Sequence, residues 1–361
     1  MGLCFWRGMI SILKKKQFWG TIIALILLGF CIKDIRLADV RNLLKRADLY
    51  YLVLAVVLQF LFIICKATRW RTIVESTKKI KWKRVVPLFA AGQAINIVMP
   101  ALTGQVGRLL LFSRKEDLSK TYVFSTIMLE VLFDAIGLLT FIMVLSAASI
   151  AFPARYRTIA VIVAIATVFV FGLLYLILLN EDRIGKFSRR VFRNRWPGFY
   201  ITLKKFVRSF TRGLKMLRSS HYFFRTLGFS ILGWLSQMMV IYSLFCAFGF
   251  KLPLISATLL MVINTIALMI PITPGNAGTF ELAVVAPLLA FKIVKSDAVL
   301  YALALHIIDL TPIFIMGYLF FYTEKMTLRQ IKEEGSKKEV LDEFYELRKA
   351  QLDDNNGDSD S

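Results

Sequence analysis

Apolar positions fall into long uninterrupted runs, roughly 18–32, 49–65, 85–112, 121–150, 158–179, 226–250, 254–292 and 298–322, divided by short polar stretches rich in Lys and Arg. Runs of this length predict bilayer-crossing helices, because a hydrocarbon core about 30 Å thick takes about 20 helical residues. The short alternating pattern of barrel strands is not what the chain shows. Two of the runs carry helix breakers in their interior. "NIVMPALTGQVGR" holds Pro100, Gly104 and Gly107, and "PITPGNAGTFE" holds Pro271, Pro274, Gly275 and Gly278, with Glu281 just beyond. Irregular backbone at membrane depth must be buried in protein or line water.

The loops set the orientation. The N-terminus has Arg7 and Lys14–Lys16 with no acid. Loop 66–84 sets eight basic residues against Glu75, and loop 180–225 sets thirteen against Glu181 and Asp182. Positive loops stay on the cytoplasmic side, so both termini are expected there. If 85–112 crossed once, loop 180–225 would land outside, against its charge. The segment is therefore expected to enter, break near Pro100–Gly107 and return, and 254–292 to do the same from the opposite face. Pro100, Gly104 and Gly107 lie 171 positions before Pro271, Gly275 and Gly278. The fold class that follows is an all-α polytopic membrane protein, with about six to eight transmembrane helices and two re-entrant hairpins in an inverted repeat, a transporter layout. The expected organisation is a basic N-terminus (1–17), a membrane domain (18–322) containing the basic loop 180–225, and a tail (323–361) that is first amphipathic, then acidic and disordered.

Composition agrees. Of 361 residues, 57% are hydrophobic, and the mean hydropathy is +0.63, too apolar for a soluble chain of this size. The net charge of +22 sits in the loops, where orientation and anionic headgroups account for it, so nucleic acid is not an expected partner. Cys4, Cys31, Cys65 and Cys246 are scattered, with no spacing that suggests a metal site or a disulfide framework, and no cofactor is expected.

A few polar residues within the apolar runs are the candidates for chemistry. Glu130 and Asp134 are four apart and share a helix face; a charge at the bilayer centre costs about 2.5–3.5 kcal/mol on insertion scales, so the pair needs a partner or water. Arg108 is the candidate partner, either in a buried ion pair or in a relay where one acid takes up a proton. His306 and Asp309 share a face on the last long run, as a structural hydrogen bond or as a titrating site. A half-helix starting near Gly278 would turn its positive end to an anion; alternatively Glu281 caps those N–H groups itself, and an anion binds elsewhere. Thr103, Gln105 and Asn276 are lining candidates. Asn96 and Asn264 precede the breaks and can bond the carbonyls freed there. Arg69, Trp70 and Arg71 read as an interfacial anchor, with headgroup contact by Arg69 and Arg71 as the second reading.

Taken in order, "KATRWRTI", "NIVMPALTGQVGR", "LEVLFD" and "PITPGNAGTFE" resemble the lysylphosphatidylglycerol synthase transmembrane-region family, also called flippase-like or UPF0104, over roughly 15–322. The resemblance matches Arg69-Trp70, the first break with Arg108, the Glu130…Asp134 helix, and the Pro271 to Glu281 motif. This chain has His306 where the family often has Arg. The resemblance implies a membrane part that moves lipid between leaflets, as in the aminoacyl-phospholipid synthase, or acts in hopanoid or polyprenyl-linked glycan pathways. The synthase's soluble aminoacyl-transfer domain has no counterpart in this sequence, so enzyme activity is not expected. The leading expectation is a transporter of an anionic or polyprenyl-phosphate lipid in the cell membrane. The alternatives are a non-transporting partner of a lipid or glycan synthase, and a headgroup-modifying enzyme using Glu130, Asp134, Glu281 and His306. Nothing in the sequence specifies the lipid or the oligomeric state.

Overall fold

The computed structural model describes residues 47–98, 102–147, 197–268 and 273–323, with isolated helical positions between 165 and 183. The N-terminal run 18–32, Pro100, Pro271 and the tail from 324 lie outside the described residues. Those described form helices only: α1 (Leu49–Glu75), α2 (Trp82–Val98), α3 (Leu102–Lys115), α4 (Lys120–Ala147), α5 (Pro197–Leu214), α6 (Ser220–Ala247), α7 (Leu254–Ala267), α8 (Thr279–Ala290) and α9 (Lys295–Thr323), with 3₁₀ turns at Lys215–Arg218 and Pro274–Asn276. Helices α1, α4, α6 and α9 contain stretches long and apolar enough to cross a membrane. Outward side chains such as Val131, Met143, Ile307, Ile315 and Leu319 give them apolar faces that a bilayer would cover. The chain is thus an all-helical, multi-pass membrane protein.

The short helices cannot cross alone: α3, with 14 residues, rises about 21 Å at 1.5 Å per residue, short of a core about 30 Å thick. Helices α2 and α3 instead fold back on each other. At the closed end, a Cβ on Gly104 would lie 2.7 Å from the carbonyl oxygen of Asn96. At the open end, Arg84 Nη2 donates to the Lys115 carbonyl at 2.6 Å. Both ends of this pair therefore meet, and the chain enters and returns. Gly104 and Gly107 lie within α3, so the break expected near Pro100–Gly107 does not extend to them, and Pro100 itself lies outside the described residues. Helices α7 and α8 also pack together across a second interruption.

The repeat is larger than the sequence motif. Leu49 and Ser220, the first residues of α1 and α6, are also 171 apart. Each unit is a long helix, two half-helices and a long helix: α1–α4 and α6–α9. Contacts between them are reciprocal. The half-helix α2 packs on α9 and its mate α7 on α4; α1 touches α9 as α6 touches α4; α1 and α6 form the central pair. That pair is antiparallel. Asp48, which caps α1 by accepting from Tyr50 N at 2.9 Å, uses its own N–H to bond the carbonyl of Ala247 at the far end of α6, also at 2.9 Å. Ser236 donates to the Leu58 carbonyl at 2.7 Å, and Arg225 reaches Glu75 at 3.5 Å. The two units run in opposite senses.

Two expected boundaries move. Helix α1 continues ten residues beyond the end of its apolar run, so 66–75 are helix rather than loop. The basic segment 180–225 contains α5 and the first turns of α6. Helix α5 is held against α4 by Phe210 and Leu214, which pack with Leu129, Leu132 and Phe133.

Candidate functional site

Extending α1 carries its basic residues inward. Arg69 is 1% exposed and Trp70 fully buried, so the interfacial-anchor reading of this pair gives way to an interior position. Trp70 donates to Thr126 at 3.3 Å and packs its ring on Phe112. Arg71 donates to the Ile80 carbonyl at 2.8 Å and reaches Glu75 at 3.4 Å, which ties the end of α1 to the following turn.

Five ionisable side chains converge between α1, α3 and α4. The Arg69 guanidinium donates to both carboxylate oxygens of Asp134, at 2.6 and 3.0 Å. It also lies 3.5 Å from Glu130 and donates to Ser230 of α6 at 3.1 Å. Ser230 passes its own proton to the Phe133 carbonyl at 3.0 Å, which fixes the orientation of its oxygen toward Arg69. Arg108 donates to the other oxygen of Glu130, and the rings of Phe89 and Phe112 lie about its guanidinium at 4.9 and 5.1 Å. Lys66 closes the set, 3.5 Å from Asp134. The expected pairing of Arg108 with the acids of α4 is present, and it is shared: Arg108 takes Glu130, and Arg69 takes Asp134.

The cluster carries three cations against two carboxylates. Its depth is graded. Arg69, Arg108 and Glu130 are almost wholly enclosed, whereas the side chains of Lys66 and Asp134 are 25% and 27% exposed. Arg69 Nε and Arg108 Nε are buried without a partner, as is Gln105 Oε1 on α3. A carboxylate and a phosphate take the same two-pronged bond from a guanidinium. The arrangement therefore has an excess positive charge, an accessible edge at Lys66 and Asp134, and buried donors in reserve.

The second interruption, described over 273–278, is built differently. Gly275, Asn276 and Gly278 all have positive φ (61°, 57° and 83°), which explains the two glycines. Thr273 Oγ1 donates to the Ala277 carbonyl and Thr279 Oγ1 to that of Asn276, both at 2.8 Å. Glu281 accepts from the Gly278 N–H at 2.6 Å, the capping alternative of the sequence reading. Its other oxygen meets His306 Nδ1 at 2.7 Å, and His306 Nε2 meets the Gly275 carbonyl at 3.0 Å. The Phe280 ring stacks on the imidazole, centroids 4.3 Å apart. Asp309 is held separately by Gln237 of α6 at 3.2 Å, while Gln59 of α1 donates to its backbone carbonyl at 3.5 Å. Asn276 is half-buried in the turn and Gln105 half-buried on α3. The side-chain oxygen of Asn264 is buried without a partner. Gly275 faces Ile97, near the end of α2, so the second interruption packs beside the first.

Sequence reasoning missed three members: Lys66, Ser230 and Gln237. Lys66 was hidden by counting it in a loop. Ser230 and Gln237 sit in an ordinary apolar helix, and only the pairing of α6 with α1 brings them to charged partners.

The family model of the lysylphosphatidylglycerol synthase TM region matches residues 17–317. A UPF0104 membrane protein of Methanothermobacter thermautotrophicus is 22% identical over 284 residues, covering 74% of this chain and 84% of the relative. One from Pyrococcus horikoshii is 21% identical over 278 residues, covering 72% and 82%. Another, from Methanocaldococcus jannaschii, is 22% identical over 250 residues, covering 66% of this chain and 98% of the relative. With the match running through both four-helix units and both interruptions, the chain belongs to the lysylphosphatidylglycerol synthase transmembrane-region family.

Proposed function

We propose that this protein moves an anionic or phosphate-bearing lipid between leaflets. The observation that carries the reading is the unbalanced cluster of Lys66, Arg69 and Arg108 against Glu130 and Asp134, graded from an accessible edge to a closed interior. Burying charge in a membrane is expensive, and such residues mark pathways. Here Asp134 acts as a stand-in for the headgroup. A phosphate arriving at Lys66 takes the two-pronged bond that Asp134 makes with Arg69, and the carboxylate swings toward the accessible side. The inverted units supply two arrangements related by rocking around this point. No nucleophile paired with a base accompanies the cluster among the described residues, which favours transport over headgroup chemistry.

The test is leaflet exchange in proteoliposomes, followed by quenching of a fluorescent phosphatidylglycerol or polyprenyl phosphate, with phosphatidylcholine as the neutral-headgroup comparison. Exchange of an anionic probe, reduced at least about tenfold in Lys66→Ala and Arg69→Lys while both remain monodisperse, is expected: a lost charge-assisted contact of about 1.5–3 kcal/mol is worth that factor or more. Exchange of both anionic probes no faster than in protein-free vesicles would sink the proposal.

A further inference from the structure

The contact between Glu281 and His306 contains a count that fixes a proton. The Gly275 carbonyl can only accept, so His306 Nε2, 3.0 Å away, must carry a hydrogen. A neutral imidazole has one N–H, and Nε2 has used it. Yet Nδ1 lies 2.7 Å from Glu281 Oε1. A bare Nδ1 lone pair facing a carboxylate oxygen at that distance is repulsive. The contact holds only if one more proton lies in it, on Nδ1 as imidazolium or on Oε1 as the acid. The bookkeeping is the same either way: this pair binds one proton more than a neutral histidine and a carboxylate. The environment matches. The Glu281 side chain is 3% exposed and that of His306 12%, and the stacked Phe280 ring favours a positive imidazole.

The groups that face α9 from its neighbours near His306 are neutral. Helix α2 brings Ala90, Ala91 and Ala94 against Gly317, α1 brings the amide of Gln59, and α6 brings the amide of Gln237. Among the described residues, two charged groups also meet α9: Lys115 of α3, 5.7 Å from the centroid of the Phe320 ring, and Asp309 on α9 itself, one turn from His306 and engaged by Gln237. The pair also sits at a mechanical junction. Glu281 caps α8, His306 holds the turn at Gly275, and Gly275 abuts Ile97 beside the first interruption.

We infer that the Glu281–His306 contact is the binding site of a coupling proton, which clamps the second interruption against α9 when present and frees it when released. The inference rests on the transport reading above and deepens it by naming the coupling ion. On release, the Nδ1 lone pair and the Glu281 carboxylate repel, the first turn of α8 parts from α9, and the turn at 273–278 loses its anchor. Uptake from one aqueous face and release to the other moves one proton per cycle and leaves both side chains as they began.

Two measurements on the full-length protein test this separately. The first is hydrogen–deuterium exchange of the peptide spanning 273–281, taken as the ratio to His306→Arg, whose fixed charge keeps a donor toward Glu281, at each pH so that intrinsic exchange cancels. The ratio is expected to rise at least about fivefold between about pH 6 and about pH 8.5, as the contact loses its proton and the clamp opens. His306→Gln, which cannot ionise, serves as the second reference: fast and unchanging relative to the same denatured peptide. A wild-type profile that stays parallel to either variant across the range overturns the proton site. The second is leaflet exchange under an imposed pH gradient, expected to change several-fold in the wild type and not in His306→Gln. Exchange indifferent to the gradient, with a pH-dependent clamp, overturns the coupling. Absence of any leaflet exchange, with the pH-dependent clamp intact, overturns the transport reading instead.

Discussion

Replacing Glu130 by Gln tests the buried cluster most directly. The change keeps the side chain's shape and removes one of two negative charges. Its consequences for the two arginines differ. Arg69 retains both oxygens of Asp134, at 2.6 and 3.0 Å. Arg108 loses the carboxylate it pairs with and keeps only the faces of Phe89 and Phe112. The new amide also turns hydrogen-bond donors toward guanidinium donors. Removing one partner of a buried pair costs about 3–5 kcal/mol, because the other charge is left enclosed. Arg108→Leu alone should cost less, since Glu130 still has Arg69 at 3.5 Å. The double variant restores the original charge excess and should recover about 2 kcal/mol relative to the sum of the singles, within the range seen for residues in one network.

The assay is reversible unfolding in mixed micelles titrated with a denaturing detergent, followed by tryptophan fluorescence. Glu75→Gln provides the comparison. Its partners Arg71 and Arg225 are at least a quarter exposed, so the loss should stay within about 1 kcal/mol. If the double variant proved additive within about 0.5 kcal/mol, Arg108 and Glu130 would not be a coupled pair, and the cluster as described would be wrong.

Gly104→Ala places a Cβ 2.7 Å from the backbone oxygen of Asn96 and should destabilise the α2–α3 hairpin by about 1–3 kcal/mol in the same assay; Gly275→Ala has room against Ile97 but a φ of 61°, so its cost should be confined to about 1–2 kcal/mol of backbone strain. A Cβ on Gly233 would lie 3.7 Å from that of Cys65, inside the usual disulfide range of about 3.5–4.5 Å. Gly233→Cys, with the other native cysteines changed to Ser, should therefore cross-link on mild oxidation and lose both reactive thiols to a maleimide probe, whereas two thiols that stay reactive would contradict the antiparallel α1–α6 pair.

Periodicity and length carried the helices, because a membrane span advertises itself by apolar composition. The two interruptions were legible for a related reason: Pro and Gly in mid-membrane have few explanations. The failures came where charge was read as surface. Lys66 and Arg69 follow an apolar run and look like its aqueous end; their partners Asp134 and Ser230 are 65 and more positions away, and only tertiary packing makes the interior tolerable for them. The Glu130–Asp134 spacing still pointed to one face of α4, and the partner named for it, Arg108, is there. The repeat was visible only in three helix breakers, because the helices around them are constrained to be apolar rather than to keep particular residues. The orientation of Glu281 was open in the sequence, since a cap and an anion site call for the same residue types at a helix start.

The two units share geometry but not charge, and on the transport reading proposed above this difference is where directionality would reside. Gln237 stands to Asp309 as Lys66 stands to Asp134: the α1 and α6 positions are 171 apart and the α4 and α9 positions 175 apart. Ser230 and Gln59, also 171 apart, each bond a backbone carbonyl on the other unit's long helix. The half-helix contacts reverse sign, with Arg108 on α3 against Glu130 on α4, but Glu281 on α8 against His306 on α9. Two identical inverted units would give inward and outward arrangements of equal energy, so neither face could be preferred. Here one unit gathers excess cations, and the other sets a carboxylate against His306, with the proton between them that is inferred above. On the transport reading, an anionic headgroup discriminates between the arrangements at the first unit and a proton at the second. Exchanging Lys66 and Gln237 in one variant would move the extra cation to the second unit, and the reasoning then requires the preferred direction of exchange under a pH gradient to weaken or reverse.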